Sequence, residues 1–284
     1  MESRALVPVD ELIALSAAGD PPLLLDVRWS LAGSDRSGYA AGHLPGAVFC
    51  DLDVDLAAPP GDGGRHPLPS VESMTATLRR LGVTPDRAVV VYDGGAGAAA
   101  ARAWWCLRWV GHPRVRVLDG GLAAWLAADG PLEAGDVAPS PVAPSSERAP
   151  TRRASMPVVS VDDVLAGRAG TLLDARSAER YRGEVEPVDP VAGHIPGARS
   201  CPTTALQHPD GRYLPPDALR AVLAPLVGDP SGPVTAYCGS GVTASQLVLA
   251  AHEVGLDVAL YPGSWSHWVR DPARPVATGE SAGR

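Results

Sequence analysis

A cysteine at the end of a strand-like segment is the residue best suited to do chemistry. Cys238 follows the apolar run Val234-Thr-Ala-Tyr and is followed by Gly-Ser-Gly and a helix-forming stretch. Backbone N–H groups in such a turn, together with the positive end of the following helix, stabilise negative charge. The thiolate is the nucleophilic form of cysteine. The placement therefore predicts a nucleophile, and a small packed core cysteine is the alternative interpretation of this run alone.

An internal repeat separates Cys238 from the other three cysteines. The repeated segments, offset by 143 to 151 residues, are Leu25–Arg28 with Leu173–Arg176, Gly42–Ala47 with Gly193–Ala198, and Gly120–Trp125 with Gly263–Trp268. In this register the first copy carries Asp93 where the second carries Cys238. Only the second copy therefore has the candidate nucleophile. A cysteine that only packed the core shared by both copies would be expected in both.

The repeated motifs resemble those of the tandem-domain rhodaneses, and more narrowly those of the thiosulfate and 3-mercaptopyruvate sulfurtransferases. The resemblance rests on the two Gly-His-x-Pro-Gly segments, the two Asp-x-Arg strand ends and the loop Cys238-Gly-Ser-Gly-Val-Thr-Ala244, and it runs from residue 5 to residue 272. It implies transfer of a sulfane sulfur from a small anionic donor through a persulfide on Cys238. It also implies that no metal and no organic cofactor is required.

Length and repeat predict two α/β domains. Short apolar strands alternate with helix-like stretches in each copy, which favours a mainly parallel sheet flanked by helices. We expect an N-terminal domain without the nucleophile at residues 1–130, a Pro/Ser-rich linker at 131–156 and a catalytic C-terminal domain at 157–284. Ligands of such sheets bind at the carboxyl ends of the strands, where Cys238 falls.

Composition restricts the partners and the compartment. A net charge of −8 predicts no general attraction to nucleic acid or anionic membranes. The N-terminus lacks a signal-peptide pattern and the chain lacks a long apolar stretch, so a cytoplasmic location is expected. The four cysteines form no C-x-x-C pair, so neither a zinc site nor a disulfide framework is predicted. Cys50, Cys106 and Cys201 are interpreted as packed thiols.

The resemblance assigns further residues around the nucleophile. Gly239 and Ser240 are neutral where thiosulfate-preferring relatives carry cations, which favours mercaptopyruvate as the donor. In that group the serine handles a proton in a relay, whose partners here are His43 and Asp35 across the domain interface. The remaining loop residues expected to face the donor are Gly239, Gly241, Val242 and Thr243. His194 repeats the position of His43, so a structural role is the alternative for both histidines.

An anionic donor needs a cation, and Arg180 is the first candidate. It lies in Glu179-Arg-Tyr-Arg-Gly-Glu184, which resembles the family segment whose first arginine binds the substrate anion. A guanidinium can donate two parallel hydrogen bonds to a carboxylate. Mercaptopyruvate-type relatives carry a second arginine in a Pro-Glu-Pro-Arg context, but this chain reads Val185-Glu-Pro-Val-Asp-Pro190. Arg182 is the candidate substitute.

Three alternatives to a mercaptopyruvate sulfurtransferase follow from the same residues. A thiosulfate sulfurtransferase would use the same nucleophile. A cysteine phosphatase of related fold needs an arginine six residues after the cysteine, and position 244 is alanine, which excludes it. A sulfur-relay module would receive sulfur from a protein partner. The acceptors considered are a small thiol, a thioredoxin-like protein and cyanide.

Overall fold

The computed structural model describes residues 4–139, 156–228 and 232–280. Two compact units make up the chain. Unit 1 comprises Met1–Ala58, Pro69–Met156 and Pro209–Arg212, and unit 2 comprises Pro59–Leu68, Pro157–His208 and Tyr213–Arg284. Two short segments, 59–68 and 209–212, thus group with the unit formed by the other half of the sequence. Of the predicted linker, residues 140–155 lie outside the described part of the chain.

Unit 1 is built on a five-stranded sheet in which every neighbouring pair is parallel, in the order β1-β7-β6-β2-β5. A short antiparallel hairpin, β3 with β4, stands apart from it. The elements are β1 Leu6–Val7, α1 Val9–Ser16, β2 Leu23–Asp26, β3 Trp29–Ser30, β4 Gly33–Ser34, α2 Arg36–Ala41, β5 Val48–Phe49, α3 Leu52–Asp55, α4 Val71–Arg80, β6 Val89–Tyr92, α5 Ala98–Trp109, β7 Val115–Leu118 and α6 Gly121–Ala127.

Unit 2 is built on a four-stranded parallel sheet in the order β11-β10-β8-β9. The elements are α7 Val161–Leu165, β8 Thr171–Asp174, α8 Ala178–Arg182, β9 Arg199–Ser200, a 3₁₀ helix Thr203–Leu206, α9 Pro216–Val227, β10 Val234–Tyr237, α10 Val242–Glu253, β11 Ala259–Leu260 and α11 Ser264–Trp268. The predicted α/β fold with two mainly parallel sheets flanked by helices is confirmed.

The central strands form where the sequence is continuously apolar. All residues of β2, β6 and β10 are buried, as is usual for parallel strands covered by helices on both faces. In unit 2, β10 pairs with β8 from Val234 opposite Thr171 to Tyr237 opposite Asp174. The two strands therefore end at the same level, and the residues that follow them emerge at one edge of the sheet.

Buried ion pairs fix that edge in both units. Arg28 donates to Asp26 at 2.7 Å, and Arg176 donates to Asp174, whose carboxylate is fully buried. Each guanidinium also donates to the carbonyl oxygen of the glycine that opens its Gly-His-x-Pro-Gly segment, at 2.6 and 2.7 Å. In each unit the arginine thus joins a strand end to the turn beside it. Among the described residues, no helix is long and apolar enough to cross a bilayer.

Candidate active site

Cys238 lies where β10 meets α10, at the carboxyl end of the unit 2 sheet. Its Sγ accepts a hydrogen bond from the N–H of Gly241 at 3.1 Å, and its own N–H donates to Ser264 Oγ at 3.1 Å. The twelve-residue α10 begins directly after Gly241, so the positive end of the helix is close to the sulfur. The surroundings of the sulfur therefore favour negative charge on it.

Two features give the loop its shape. Gly241 has φ 80°, and a Cβ there would lie 2.5 Å from the carbonyl oxygen of Pro262, so only glycine fits. The start of α11 holds the carbonyl groups of the loop: Trp265 N–H donates to the Cys238 oxygen at 3.0 Å, and Ser266 N–H donates to the Gly239 oxygen at 2.8 Å. The N–H of Gly241 faces the sulfur in this arrangement.

The other three cysteines lie outside the loop. Cys50, Cys106 and Cys201 are buried, as expected of packed thiols, and all four cysteines of the chain are free. Burial raises the pKa of each of these three thiols, that of Cys201 to about 12. Their reactive thiolate form is therefore disfavoured. Cys238 is also buried, and its sulfur accepts a hydrogen bond from the N–H of Gly241 just before α10.

Ser240 pairs with a histidine that sequence reasoning did not find. Its side-chain oxygen lies 2.8 Å from Nδ1 of His66, and the serine is 6% exposed. His66 belongs to segment 59–68, which is part of unit 2 although it precedes the rest of that unit by nearly a hundred residues. A hydroxyl hydrogen-bonded to an imidazole can pass a proton, and this pair lies two residues from Cys238.

The predicted partners of Ser240 make contacts within unit 1, whereas Ser240 itself pairs with His66. His43 is buried in unit 1, where its Nδ1 pairs with the carbonyl oxygen of Tyr39 at 2.9 Å and its ring stacks on that tyrosine. His194 repeats this arrangement on Tyr181, at 2.7 Å. The structural alternative thus fits both histidines.

Asp35, the third member of the predicted relay, caps α2. Its carboxylate accepts the N–H of Gly38 at 2.8 Å and the hydroxyl of Ser37 at 3.0 Å. These two hydrogen bonds, the backbone one first, lower the pKa of Asp35. An exposed carboxylate at the start of a helix stabilises that helix, which accounts for Asp35 without a catalytic role.

Arg180, the predicted donor-binding arginine, lies beside the loop and is also held by acidic neighbours. It donates to Glu186 through Nε at 3.2 Å and Nη2 at 2.7 Å, and its Nη2 lies 3.5 Å from Asp189. Both nitrogens at the tip of Arg180 are 3.6 Å from the point where a Cβ on Gly239 would lie. Burial raises the pKa of Glu186, but hydrogen bonds from Arg180 and from backbone N–H groups outweigh it, and the net pKa is lowered. The acid therefore stays charged and orients Arg180.

The remaining predicted donor-binding residues divide between the loop and the surface. Val242 and Thr243 are the first two residues of α10, and Val242 is buried. Arg182 donates to Glu184 at 2.7 and 2.9 Å, and that glutamate is half exposed. The structure thus brings Arg180 to the loop and gives Arg182 a surface ion pair.

In unit 1, the loop equivalent to the Cys238 loop binds a carboxylate of the chain itself. Asp93 takes the place of the nucleophile, and its carboxylate accepts four backbone N–H groups, from Gly95 and Gly97 at 2.9 Å, Ala99 at 3.1 Å and Ala100 at 3.2 Å. A built-in anion therefore fills the position before α5. The turn between strand and helix that binds this carboxylate in unit 1 corresponds to the turn around the Cys238 sulfur in unit 2.

No group of three or more histidine, cysteine, aspartate or glutamate side chains in residues 4–139, 156–228 and 232–280 is arranged to hold a metal ion.

The comparison with known families agrees with this geometry. The rhodanese-like domain matches the chain twice, at residues 8–128 and 160–271. The chain therefore belongs to the rhodanese-like family with two copies of the domain, and the resemblance seen in the sequence is confirmed.

Relatives and solved structures extend over nearly the whole chain. A Mycobacterium tuberculosis protein provisionally named thiosulfate sulfurtransferase SseB is 46% identical over 290 residues, covering 97% of this chain and 98% of its own. A Pseudomonas aeruginosa protein provisionally named 3-mercaptopyruvate sulfurtransferase is 44% identical, covering 99% and 100%. The crystal structure of SseA from Escherichia coli, titled as a 3-mercaptopyruvate sulfotransferase, matches with a TM-score of 0.78 at 34% identity, covering 93% of this chain and 100% of that one.

Proposed function

We propose that this protein is a sulfurtransferase that carries a sulfane sulfur on Cys238, with 3-mercaptopyruvate as the favoured donor. The observation that carries the proposal is the contact between Cys238 Sγ and the N–H of Gly241 at the start of α10. A sulfur in this position is stabilised as a thiolate before the reaction and as a persulfide anion after it. Membership of the rhodanese-like family and the names of the relatives support the same activity.

The first half-reaction forms the persulfide. The Cys238 thiolate attacks the sulfur of mercaptopyruvate, and a sulfur–sulfur bond forms as the carbon–sulfur bond breaks. The electron pair of the broken bond passes to the three-carbon remainder, which leaves as the enolate of pyruvate and takes up a proton. With thiosulfate as donor, the sulfur–sulfur bond of the donor breaks instead and sulfite leaves. Both routes are nucleophilic covalent catalysis.

The neighbouring side chains fit separate tasks in that step. Ser240 and His66, 2.8 Å apart, can move the thiol proton of the donor toward the enolate carbon. Arg180, held in place by Glu186, presents its guanidinium to the donor's carboxylate. A serine–histidine pair has a use with mercaptopyruvate, whose leaving group must be protonated, and little use with thiosulfate. This difference favours mercaptopyruvate.

The second half-reaction returns the enzyme to its starting state. An acceptor thiolate, or cyanide, attacks the outer sulfur of the persulfide and takes it, and the Cys238 thiolate is released. We take a small thiol, a thioredoxin-like protein or cyanide as the acceptor. Four free cysteines support a reducing compartment such as the cytoplasm as the place of action.

The decisive experiment compares two donors with one acceptor. We expect kcat/KM for 3-mercaptopyruvate to exceed that for thiosulfate by more than about tenfold, and we expect Cys238→Ser to abolish both activities because a hydroxyl is a far weaker nucleophile. Mass spectrometry of the donor-treated protein should find one added sulfur on the Cys238 peptide. A kcat/KM higher for thiosulfate would assign the second candidate, a thiosulfate sulfurtransferase. A persulfide that forms only from a protein donor would assign a relay.

A further inference from the structure

The donor site described so far contains one arginine, whereas the resemblance to mercaptopyruvate-type sulfurtransferases leads us to expect a second. The segment expected to supply the second has valine and aspartate there, in the run Val185–Pro190. That aspartate, Asp189, is almost fully buried with its side chain 4% exposed. A buried carboxylate needs a cation, and the cation that Asp189 holds comes from a distant part of the sequence.

We propose that Arg65 is the second donor-binding arginine, an inference that rests on the sulfurtransferase function proposed above. Arg65 lies in segment 59–68 of unit 2, next to His66, and forms a short ion pair with Asp189 through Nη1. Its Nη2 is 2.7 Å from the point where a Cβ on Gly239 would lie. Arg65 and Arg180 therefore converge on the residue that follows the nucleophile.

The hydrogen bonding of Arg65 leaves donors for a ligand. Its Nη1 is used by Asp189, and its backbone N–H donates to Ser266 Oγ at 3.1 Å. Its Nε is buried and has no hydrogen-bond partner among the described residues. A buried guanidinium nitrogen without a partner costs free energy, and an oxyanion placed over Gly239 would supply the acceptor.

Asp189 sets the spacing of the two guanidiniums. One carboxylate oxygen pairs with Arg65, and the other lies 3.5 Å from Nη2 of Arg180. Burial raises the pKa of Asp189, and the two arginines oppose that rise. Asp189 and Glu186 balance the charges of Arg65 and Arg180, so the pair would hold the donor's carboxylate through guanidinium N–H groups beside Gly239 and not through an excess of charge.

A binding role for Arg65 must be separated from a role in positioning His66, its neighbour in the chain. A donor-binding arginine lowers KM and attracts anions to Cys238 whether or not turnover occurs. A residue that only positions His66 would change kcat and leave the attraction of anions unchanged. The two roles are therefore distinguishable by a measurement that needs no sulfur transfer.

The test compares alkylation of Cys238 by iodoacetate, an anion, and by iodoacetamide, its neutral analogue, in the full chain. The Cys238 peptide is quantified by mass spectrometry, and the ratio of the two rate constants reports the local positive charge. We expect Arg65→Gln to lower this ratio about tenfold and to raise KM for mercaptopyruvate by a similar factor. Arg65→Lys keeps the charge, so its ratio should be close to that of the parent. Its KM should stay partly raised, because lysine lacks the planar guanidinium.

Two further variants complete the design. Arg182→Gln tests the rival arginine, which matches Arg65 in exposure, 25% against 26%, and also pairs with one carboxylate. Arg168→Gln, at an exposed ion pair with Asp163, controls for the loss of one charge from unit 2. We expect the ratio of the iodoacetate and iodoacetamide rate constants in both variants to stay within about twofold of the parent's. Thermal unfolding of each variant confirms that it is folded.

The outcomes are distinct. An unchanged alkylation ratio in folded Arg65→Gln, or a tenfold fall in Arg182→Gln instead, would overturn the assignment of Arg65. If the parent transfers no sulfur from any donor, the proposed function fails, but the alkylation ratios still decide whether Arg65 holds anions at Cys238. A fall in kcat with KM and ratio unchanged would make Arg65 a positioning residue for His66.

Discussion

The carboxylate of Asp93 offers the sharpest test of how this fold binds anions. It accepts four backbone N–H groups with both oxygens and is only 4% exposed. We predict that Asp93→Asn, which keeps the size of the side chain, destabilises unit 1 strongly. An amide has one oxygen, so its NH₂ group must face two of the N–H groups that the carboxylate now accepts.

The size of the effect follows from the two donors that lose their acceptor. A buried N–H left without a partner costs about 1–3 kcal/mol, so two of them cost about 4 kcal/mol. Loss of a negative charge at the start of α5, a twelve-residue helix, adds about 0.5 kcal/mol. For a protein of ordinary stability this is a large fraction of the free energy of unfolding.

Urea and thermal unfolding at neutral pH measure the loss. Asp20→Asn, at an exposed turn position of unit 1, controls for the change in charge. A loss below about 1 kcal/mol in Asp93→Asn would mean that these N–H groups bind a carboxylate and an amide equally well. The reasoning about anion stabilisation before α5, and by extension beside Cys238, would then be wrong.

Two other predictions concern histidines. His66→Gln should lower kcat for mercaptopyruvate about 100-fold with little change in KM, because the proton pathway through Ser240 is lost. His208→Gln, at an exposed position, is the control. An unchanged kcat in His66→Gln would show that His66 takes no part in the reaction. His112 is buried, and burial lowers its pKa from 6.5 to about 4. Between these values the unfolded chain binds a proton and the folded chain does not. Folding stability should therefore fall by about 1.4 kcal/mol per pH unit from pH 6.5 down to 4, about 3.5 kcal/mol in all, and level off below. Urea unfolding across this range, with His112→Asn as comparison, checks it: equal pH dependence in both proteins would contradict the assignment.

Much of the fold could be predicted from the sequence because its signals are local and occur twice. Apolar runs such as Leu23–Asp26 and Val234–Tyr237 form central strands, since strands buried on both faces need no polar alternation. The loop after Cys238 could be recognised because its glycines and the following helix are adjacent in the chain. Two-residue strands such as Leu6–Val7 and Arg199–Ser200 are too short for a periodic pattern to indicate them.

The partners of the nucleophile could not be predicted, and the reason is physical. Arg65 and His66 lie in a Gly- and Pro-rich segment with no apolar period, and His66 meets Ser240 from 174 residues away. The repeat drew attention to His43 instead. A residue that recurs in both copies serves what the copies share, which is the fold, whereas residues specific to one site occur once.

The exchange of two segments between the halves of the sequence limits how this protein can be divided. Residues 59–68 fold with unit 2, and residues 209–212 fold with unit 1. A cut between the two repeats would leave the C-terminal piece with Cys238 and Ser240 but without the arginine and histidine beside them. Recombination that swapped the C-terminal half for that of a relative would join a nucleophile to a histidine and an arginine from another lineage. The unit of inheritance for this site is therefore the whole chain, not the repeat.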